Sequence, residues 1–178
     1  MADSFHFNIS MISRGKRKSA VASAAYISCE KLTNEWDGVT HDYHNKKGNF
    51  IHTYAGIELR LKMYEIMKKQ GHEEETGKAK ITSGYNLPAK YILHTVGPII
   101  QWEVTGKEEE LLASCYRECL KLAADTGAES VAFCCLSTGV FRFPQQRAAE
   151  IATETVKNYI NEDSRIKKSY LTYSRTMI

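Results

Sequence analysis

The run VAFCCLSTGVFRFP, residues 131–144, carries the strongest sign of a site in this chain of 178 residues. Its first six residues are all apolar, which is typical of a strand that is buried on both faces of an α/β sheet. Ser137, Thr138 and Gly139 then interrupt the run, and apolar residues return at helical spacing after Pro144. The run therefore predicts a loop that joins the carboxyl end of a buried strand to a helix.

This loop has two features of an anion site. Open α/β sheets bind their ligands at the carboxyl ends of the strands. A small turn with a glycine leaves backbone N–H groups unpaired, and the N-terminus of the next helix carries a partial positive charge, so the two together can hold a phosphate. An ordinary strand-to-helix turn explains the same residues equally well, and the loop sequence leaves both interpretations open.

Composition is that of an ordinary globular protein. Hydrophobic residues make up 43% of the chain, charged residues 25%, and the net charge is +3, which favours one domain or slightly more. Only a local basic cluster could recruit DNA, and it consists of Arg14, Lys16, Arg17 and Lys18. The five cysteines are an odd number and no signal peptide or long apolar run is evident. We therefore expect free thiols, a cytoplasmic location and no membrane partner.

Periodicity predicts the elements around the loop. Near the N-terminus, residues 5–12 alternate like a strand with one wet face, and the Ala-rich residues 19–30 predict a helix that carries Tyr26. Further along, helices are predicted over about residues 57–70 and 108–124 and after Pro144, and strands over residues 78–82, 91–98 and 168–173.

The N-terminal sequence resembles that of a known family. FHFNISMISRGKRKSAVASAAYISCEKL, followed by THDY and KKG, is similar to the opening of MobA/MobL-type relaxases over residues 3–48. The resemblance implies that Tyr26 attacks a DNA phosphodiester. A phenol with a pKa of about 10 needs a metal that polarises the phosphate, and the family's histidine cluster has no counterpart among the scattered histidines here. We therefore expect Tyr26 to be a remnant, or simply a residue of an amphipathic helix.

Residues 51–173 are similar to the macrodomain family, and most closely to its zinc-containing bacterial branch of ADP-ribosyl hydrolases. Four ungapped blocks carry the similarity: IHTYAGIELR, KKQGHEEETGKAKITSGYNLPAKYILHTVGPI, EELLASCYRECLKLA and VAFCCLSTGVFRFPQQRAAEIATETV. The resemblance implies an α/β fold with an incomplete macrodomain-like mixed sheet between helices over residues 49–178. Residues 1–48 then form a relaxase-like N-terminal β-α appendage.

The macrodomain resemblance also implies where ADP-ribose is held. An asparagine near the distal ribose corresponds to Asn49, and an adenine-facing aromatic residue corresponds to Tyr173. The second phosphate loop of the family corresponds to Ser137, Thr138, Gly139, Val140 and Phe141. ADP-ribose or an ADP-ribosylated protein is therefore the expected partner.

Departures from the family concern catalysis. Residues 45–50 read NKKGNF where the zinc branch has its cysteine and histidine ligands, and Gly48 stands where an acidic residue would activate water. We therefore expect no zinc cofactor and no hydrolysis, because that reaction needs a positioned base or a metal. The remaining cysteine pairs form no CxxC knuckle and are interpreted as small core residues, namely Cys115 with Cys119 and Cys134 with Cys135.

The family's two leading strands have no counterpart here, and one of them is central in the sheet. A gap of that kind would expose strand edges and favour self-association. Residues 5–12 are expected at a sheet edge or in a loose appendage, because a central strand should be apolar throughout.

The sequence leaves three functions open: an ADP-ribose-binding truncated macrodomain, a relaxase fragment that uses Tyr26, or a fusion of gene fragments without selected activity.

Overall fold

The computed structural model describes residues 19–24, 51–52 and 54–171. Five strands and three long helices follow one another within these ranges: β1 (Ser19–Ala24), α1 (Ile57–Gln70), β2 (Ala79–Ser83), β3 (Tyr91–Thr95), α2 (Gly106–Asp125), β4 (Ser130–Phe133), α3 (Gln145–Glu162) and β5 (Lys168–Leu171). The strands form one sheet in the order β2, β3, β1, β4, β5. Only β2 runs antiparallel to its neighbour, so the sheet is mixed.

Strand β1 lies in the middle of this sheet and pairs in parallel on both sides. Ala22 is aligned with Leu93 of β3 and with Phe133 of β4. The predicted helix over residues 19–30 is therefore wrong for Ser19–Ala24. The helix preference of alanine is worth only a fraction of a kcal/mol per residue. Pairing with two strands satisfies the backbone groups of β1 on both sides, and this tertiary effect decides its conformation.

The central place of β1 also corrects the prediction of a gap in the sheet. The N-terminal part was expected at an edge or in a loose appendage, yet its residues 19–24 occupy the centre. Self-association through such a gap loses its physical basis in the described sheet. The predicted strand over residues 5–12, the basic cluster, Tyr26, Asn49 and Tyr173 lie outside the described residues. The domain boundary at residue 48 stays a prediction.

The helices and strands predicted after residue 56 are confirmed in type and order, although β3 ends at Thr95, before the predicted residue 98. Helix α1 ends at Gly71, which has a left-handed φ of 76° and donates its N–H to the Met67 carbonyl. Such an ending favours glycine because a side chain would be strained there. Helix α2 begins with a capping box. The Thr105 side chain accepts a backbone N–H of the first turn, and the Glu108 side chain accepts the backbone N–H of Thr105. None of the helices in the described ranges is both long and apolar enough to cross a lipid bilayer.

Helices cover both faces of the sheet. Leu93 of β3 and Val131 and Phe133 of β4 are fully buried in one core cluster, to which α2 and α3 contribute. In that cluster the ring of Tyr116 lies 5.0 Å from the ring of Phe133. Ile92, the neighbour of Leu93 on β3, belongs to a second cluster with residues of α1. Successive strand residues point to opposite faces, so α1 lies on the face opposite to α2 and α3, as predicted.

Two buried histidines make this core sensitive to acid. Nε2 of His94 lies 2.9 Å from the hydroxyl of Thr82, whereas its Nδ1 has no hydrogen-bond partner among the described residues. Burial, followed by the charge of His52, lowers the pKa of His94 to about 3. Burial, followed by the charge of Arg60, lowers the pKa of His52 to about 4. His94 is thus a core histidine with one ring nitrogen satisfied.

We expect Ala22→Pro to destabilise the whole domain by about 2 kcal/mol or more, because proline removes a ladder hydrogen bond from a strand paired on both sides. Thermal unfolding measures the effect. Gly106→Pro is the control, since Gly106 is the first residue of α2 and no atom lies within 4 Å of an added Cβ there. An unchanged melting temperature for Ala22→Pro would show that β1 is not a central strand.

Acid should destabilise the fold between pH 7 and pH 5. Unfolded histidine binds a proton near pH 6.5, whereas folded His94 and His52 stay neutral down to about pH 3 and about pH 4. The unfolded state then binds more protons, so each histidine costs about 2 kcal/mol over this interval. Denaturant titrations at several pH values should show a shallower slope for His94→Gln. The exposed His72→Gln should keep the slope of the parent chain, and equal slopes for all three proteins contradict the assignment.

Candidate functional site

Three parallel strands, β3, β1 and β4, end at the same edge of the sheet. The chain leaves β3 through residues 96–105 and leaves β4 through residues 134–144. Because β1 lies between β3 and β4, these two loops flank its carboxyl end. In an open α/β sheet, the crevice between loops that diverge on either side of a strand is the usual place for a ligand.

The loop after β4 is held in shape by its own backbone. The N–H of Phe143 donates to the carbonyl of Ser137 at 3.0 Å, and the N–H of Arg142 donates to the carbonyl of Gly139 at 3.0 Å. Leu136 and Phe143 anchor the two ends of the loop in the core. Ser137 and Arg142 both have a left-handed φ of 59°, which is unfavourable for residues with a side chain. The anchors and hydrogen bonds maintain this strained shape.

Three consecutive amides of this loop are available to a ligand. The N–H groups of Thr138, Gly139 and Val140 donate to no acceptor within the part of the chain that the structure describes. Val140 is 72% exposed, so its side chain does not fill the space around them. The next residue, Phe141, connects the loop to the rest of the protein, because its carbonyl accepts a hydrogen bond of 2.9 Å from Ile100 N–H. Successive free amides of this kind form a concave anion site.

The N-terminus of α3 faces the end of the same loop and adds to its positive potential. Pro144 at the N-cap provides no side-chain cap, and the first turn contains no acidic residue. The Arg147 guanidinium in that turn is occupied by Glu109 at 2.8 Å and by Glu150 at 3.0 Å. The partial positive charge of the helix end is therefore not neutralised by a carboxylate of its own first turn.

A close approach between Gly97 and Ser137 sets the distance between the two loops. A Cβ atom added to Gly97 would lie 2.0 Å from Oγ of Ser137 and 3.4 Å from its Cβ. The hydroxyl of Ser137 is buried and has no hydrogen-bond partner among the described residues. A side chain at position 97 would force the Ser137 hydroxyl to move, so Gly97 allows the two loops to meet this closely.

Sequence reasoning missed the neighbouring loop between β3 and α2. Trp102 is 91% exposed and Ile99 is 51% exposed. Both belong to an open cavity of about 440 Å³ beside the amide loop. The sequence did contain a signal for this loop. Apolar residues continue past the predicted end of β3, where a buried strand no longer requires them. The ligand contacts assigned to Ser137 through Phe141 stay a prediction, although the structure brings these residues together in one loop.

The absence of a zinc site stays a prediction, because residues 45–50 lie outside the described residues. The residues that the structure does describe contain no group of three or more His, Cys, Asp or Glu side chains that could hold a metal ion. Burial raises the pKa of the Cys115 thiol to about 11 and also raises that of Cys119, so both are protonated core residues, as predicted. The amide loop, residues 134–144, contains no Asp, Glu or His. The donors of this loop are main-chain amides, and the loop itself contains no carboxylate or imidazole that could act as a general base.

Comparison with known proteins agrees with this arrangement. A family model described as Macro domain matches residues 41–152, which is more than half of the chain. A second model, described as the MobA/MobL family, matches residues 18–55. The two resemblances found in the sequence are thus both supported, and β1 falls within the second match.

Similar proteins come from several bacteria. A protein-ADP-ribose hydrolase of Treponema medium is 60% identical over 62% of this chain and 42% of its own length. A protein-ADP-ribose hydrolase of Staphylococcus aureus is 57% identical over 67% of this chain and 45% of its own length. This chain thus spans less than half of either relative.

Among solved structures, the Oceanobacillus iheyensis macrodomain with ADP superimposes with a TM-score of 0.71 at 34% identity, over 92% of this chain and 80% of that one. The same result follows from the sheet order, from the glycine loop at the carboxyl ends of the strands and from the matching sequence: this chain belongs to the macro domain family.

Proposed function

We propose that this chain binds ADP-ribose and does not hydrolyse it. The observation that carries the proposal is the row of free amides at Thr138, Gly139 and Val140, beside the uncapped N-terminus of α3. A diphosphate is the part of ADP-ribose that such a group of donors recognises. The similar Oceanobacillus iheyensis macrodomain was solved with ADP, and the two similar bacterial proteins are protein-ADP-ribose hydrolases. Both findings support this ligand class.

Loss of hydrolysis is the second part of the proposal. Water attacks an ADP-ribosyl bond only when a base or a metal activates it. Residues 45–50 lack both the metal ligands and the acidic residue that the zinc-containing branch would place there. The amide loop has no ionisable base of its own. Calorimetry with ADP-ribose, and a hydrolysis assay on an ADP-ribosylated protein, test the two parts separately.

A relaxase fragment remains the second candidate, because the MobA/MobL match includes Tyr26. It predicts metal-dependent cleavage of single-stranded DNA that is lost in Tyr26→Phe, and binding through the basic cluster near Arg14. A fusion of fragments without selected activity predicts neither cleavage nor ADP-ribose binding. We rank ADP-ribose binding first because the amide loop provides the donors that it requires.

A negative charge beside the free amides should weaken binding. We expect Val140→Glu to raise the Kd for ADP-ribose about tenfold, because the carboxylate repels the diphosphate at close range. Val140→Gln has the same size without the charge and should stay within about twofold of the parent chain. Isothermal titration calorimetry at low salt measures both. Equal affinities of the Glu and Gln variants would place the diphosphate elsewhere.

The approach of Gly97 to Ser137 gives a double-mutant test. Gly97→Ala should lower stability by about 1–3 kcal/mol and weaken ADP-ribose binding, because its methyl group displaces the amide loop. Ser137→Ala removes the clashing oxygen and a buried hydroxyl, so by itself it should be nearly neutral. The double variant should therefore recover most of the lost stability. Additive losses measured by denaturant unfolding would show that the two residues do not meet.

A further inference from the structure

An exposed apolar patch lies beside the proposed diphosphate loop. It consists of Trp102, Ile99 and Val140, which are 91%, 51% and 72% exposed. The N–H of Ile100 donates to the carbonyl of Phe141 at 2.9 Å, so the loop after β3 touches the diphosphate loop. Two residues of chain span at most about 7 Å, which keeps Trp102 close to this contact. Contiguous apolar patches at a protein surface are a mark of interaction sites, and tryptophan is enriched among the residues that dominate them.

The patch borders a defined space. An open cavity of about 440 Å³ is lined by Ile99, Gln101, Trp102, Glu103, Thr105 and Glu108. Its volume falls within the range in which proteins bind small ligands and single side chains. One wall is aromatic and apolar, and the other carries carboxylates. We call this space the tryptophan cavity.

Charge decides which group fits there. Glu103 is exposed, and hydrogen bonds from the Thr105 side chain and backbone hold the pKa of the Glu108 carboxyl below its usual range. The Glu108 carboxylate is therefore charged at neutral pH, and Glu103 is a second acidic side chain of the cavity. Among the described residues that line the cavity, none is a lysine or an arginine. A phosphate or an acidic peptide would be repelled, whereas a cation gains from the carboxylates and from the face of the indole.

We infer that the tryptophan cavity holds an arginine or lysine side chain of the protein that carries the ADP-ribose. This inference rests on the proposed function, since a diphosphate on the amides of residues 138–140 brings the neighbouring residues of a modified protein over this face. A nucleobase could also stack on the indole, but it is neutral and lacks the charge attraction that a cation has for the acidic side chains. The cavity would thus give the chain a preference for ADP-ribose attached within a basic sequence.

Calorimetry with three probes on the full chain tests the inference. They are free ADP-ribose, a peptide with ADP-ribose on one serine between two arginines, and the same modified peptide with glutamines in place of the arginines. We expect the arginine peptide to bind about fivefold more tightly than the glutamine peptide, because a cation on an indole and a partly exposed ion pair each contribute modestly. Added salt should reduce this ratio.

Variants locate the effect. Trp102→Ala should bring the ratio of the two peptide affinities close to one while the affinity for free ADP-ribose stays within about twofold. Glu103→Gln should reduce the ratio in part, and Trp102→Phe should retain most of it, because phenylalanine keeps an aromatic face. Leu61→Ala, an exposed apolar residue on α1, is the matched control and should leave the ratio unchanged. Melting temperatures of all variants check that each one folds.

Two results would overturn the inference and leave the proposed function standing. One is equal binding of both peptides by the parent chain together with binding of free ADP-ribose. The other is an equal loss of affinity for free ADP-ribose and for the arginine peptide in Trp102→Ala, which would make Trp102 a platform for the base. If none of the three probes binds, the proposed function fails and this inference fails with it.

Discussion

The parallel pairing of β1 with β3 and β4 is the interaction on which the rest of the structure depends. Strands β3 and β4 do not pair with each other in the described sheet, so without β1 it would separate into a β2–β3 pair and a β4–β5 pair. Two-stranded pieces are marginally stable in water. The core clusters on both faces, and the crevice between the two loops at the strand ends, therefore exist only while β1 is in place.

The same pairing fixes the geometry of the site. With β1 between them, β3 and β4 are held about two strand spacings apart, roughly 10 Å, and their loops must bend toward each other to meet. They do so where Gly97 admits Ser137 and where Ile100 bonds to Phe141. Ser137 is held in a left-handed conformation at this contact, and the three amides that follow it donate to no acceptor among the described residues. Binding capacity thus arises from backbone geometry rather than from any single side chain.

The sequence predicted well what depends on local pattern. The helices that end at Gly71 and begin after Pro144, the strands on either side of residues 84–90 and the glycine loop all follow from spacing and turn residues. It failed at Ser19–Ala24, where an Ala-rich segment with no strand periodicity forms the central strand. That outcome is decided by pairing with residues about 70 and 110 positions away, as the register shows, and no local rule contains it. Trp102 was missed because its importance depends on the cavity and the loop that lie beside it in the fold, and the neighbouring sequence does not reveal them.

The sheet and the catalysis of a hydrolase place different demands on sequence. A central strand is held by main-chain hydrogen bonds, which any residue except proline can make. Residues 18–55, which match a different family model, can therefore supply β1. Activation of water requires particular side chains at particular distances, and a replacement segment would supply those only by chance. The diphosphate loop needs only its backbone and Gly97, and both belong to the part that matches the macro domain. The proposed binding without hydrolysis is what this difference in demands would produce.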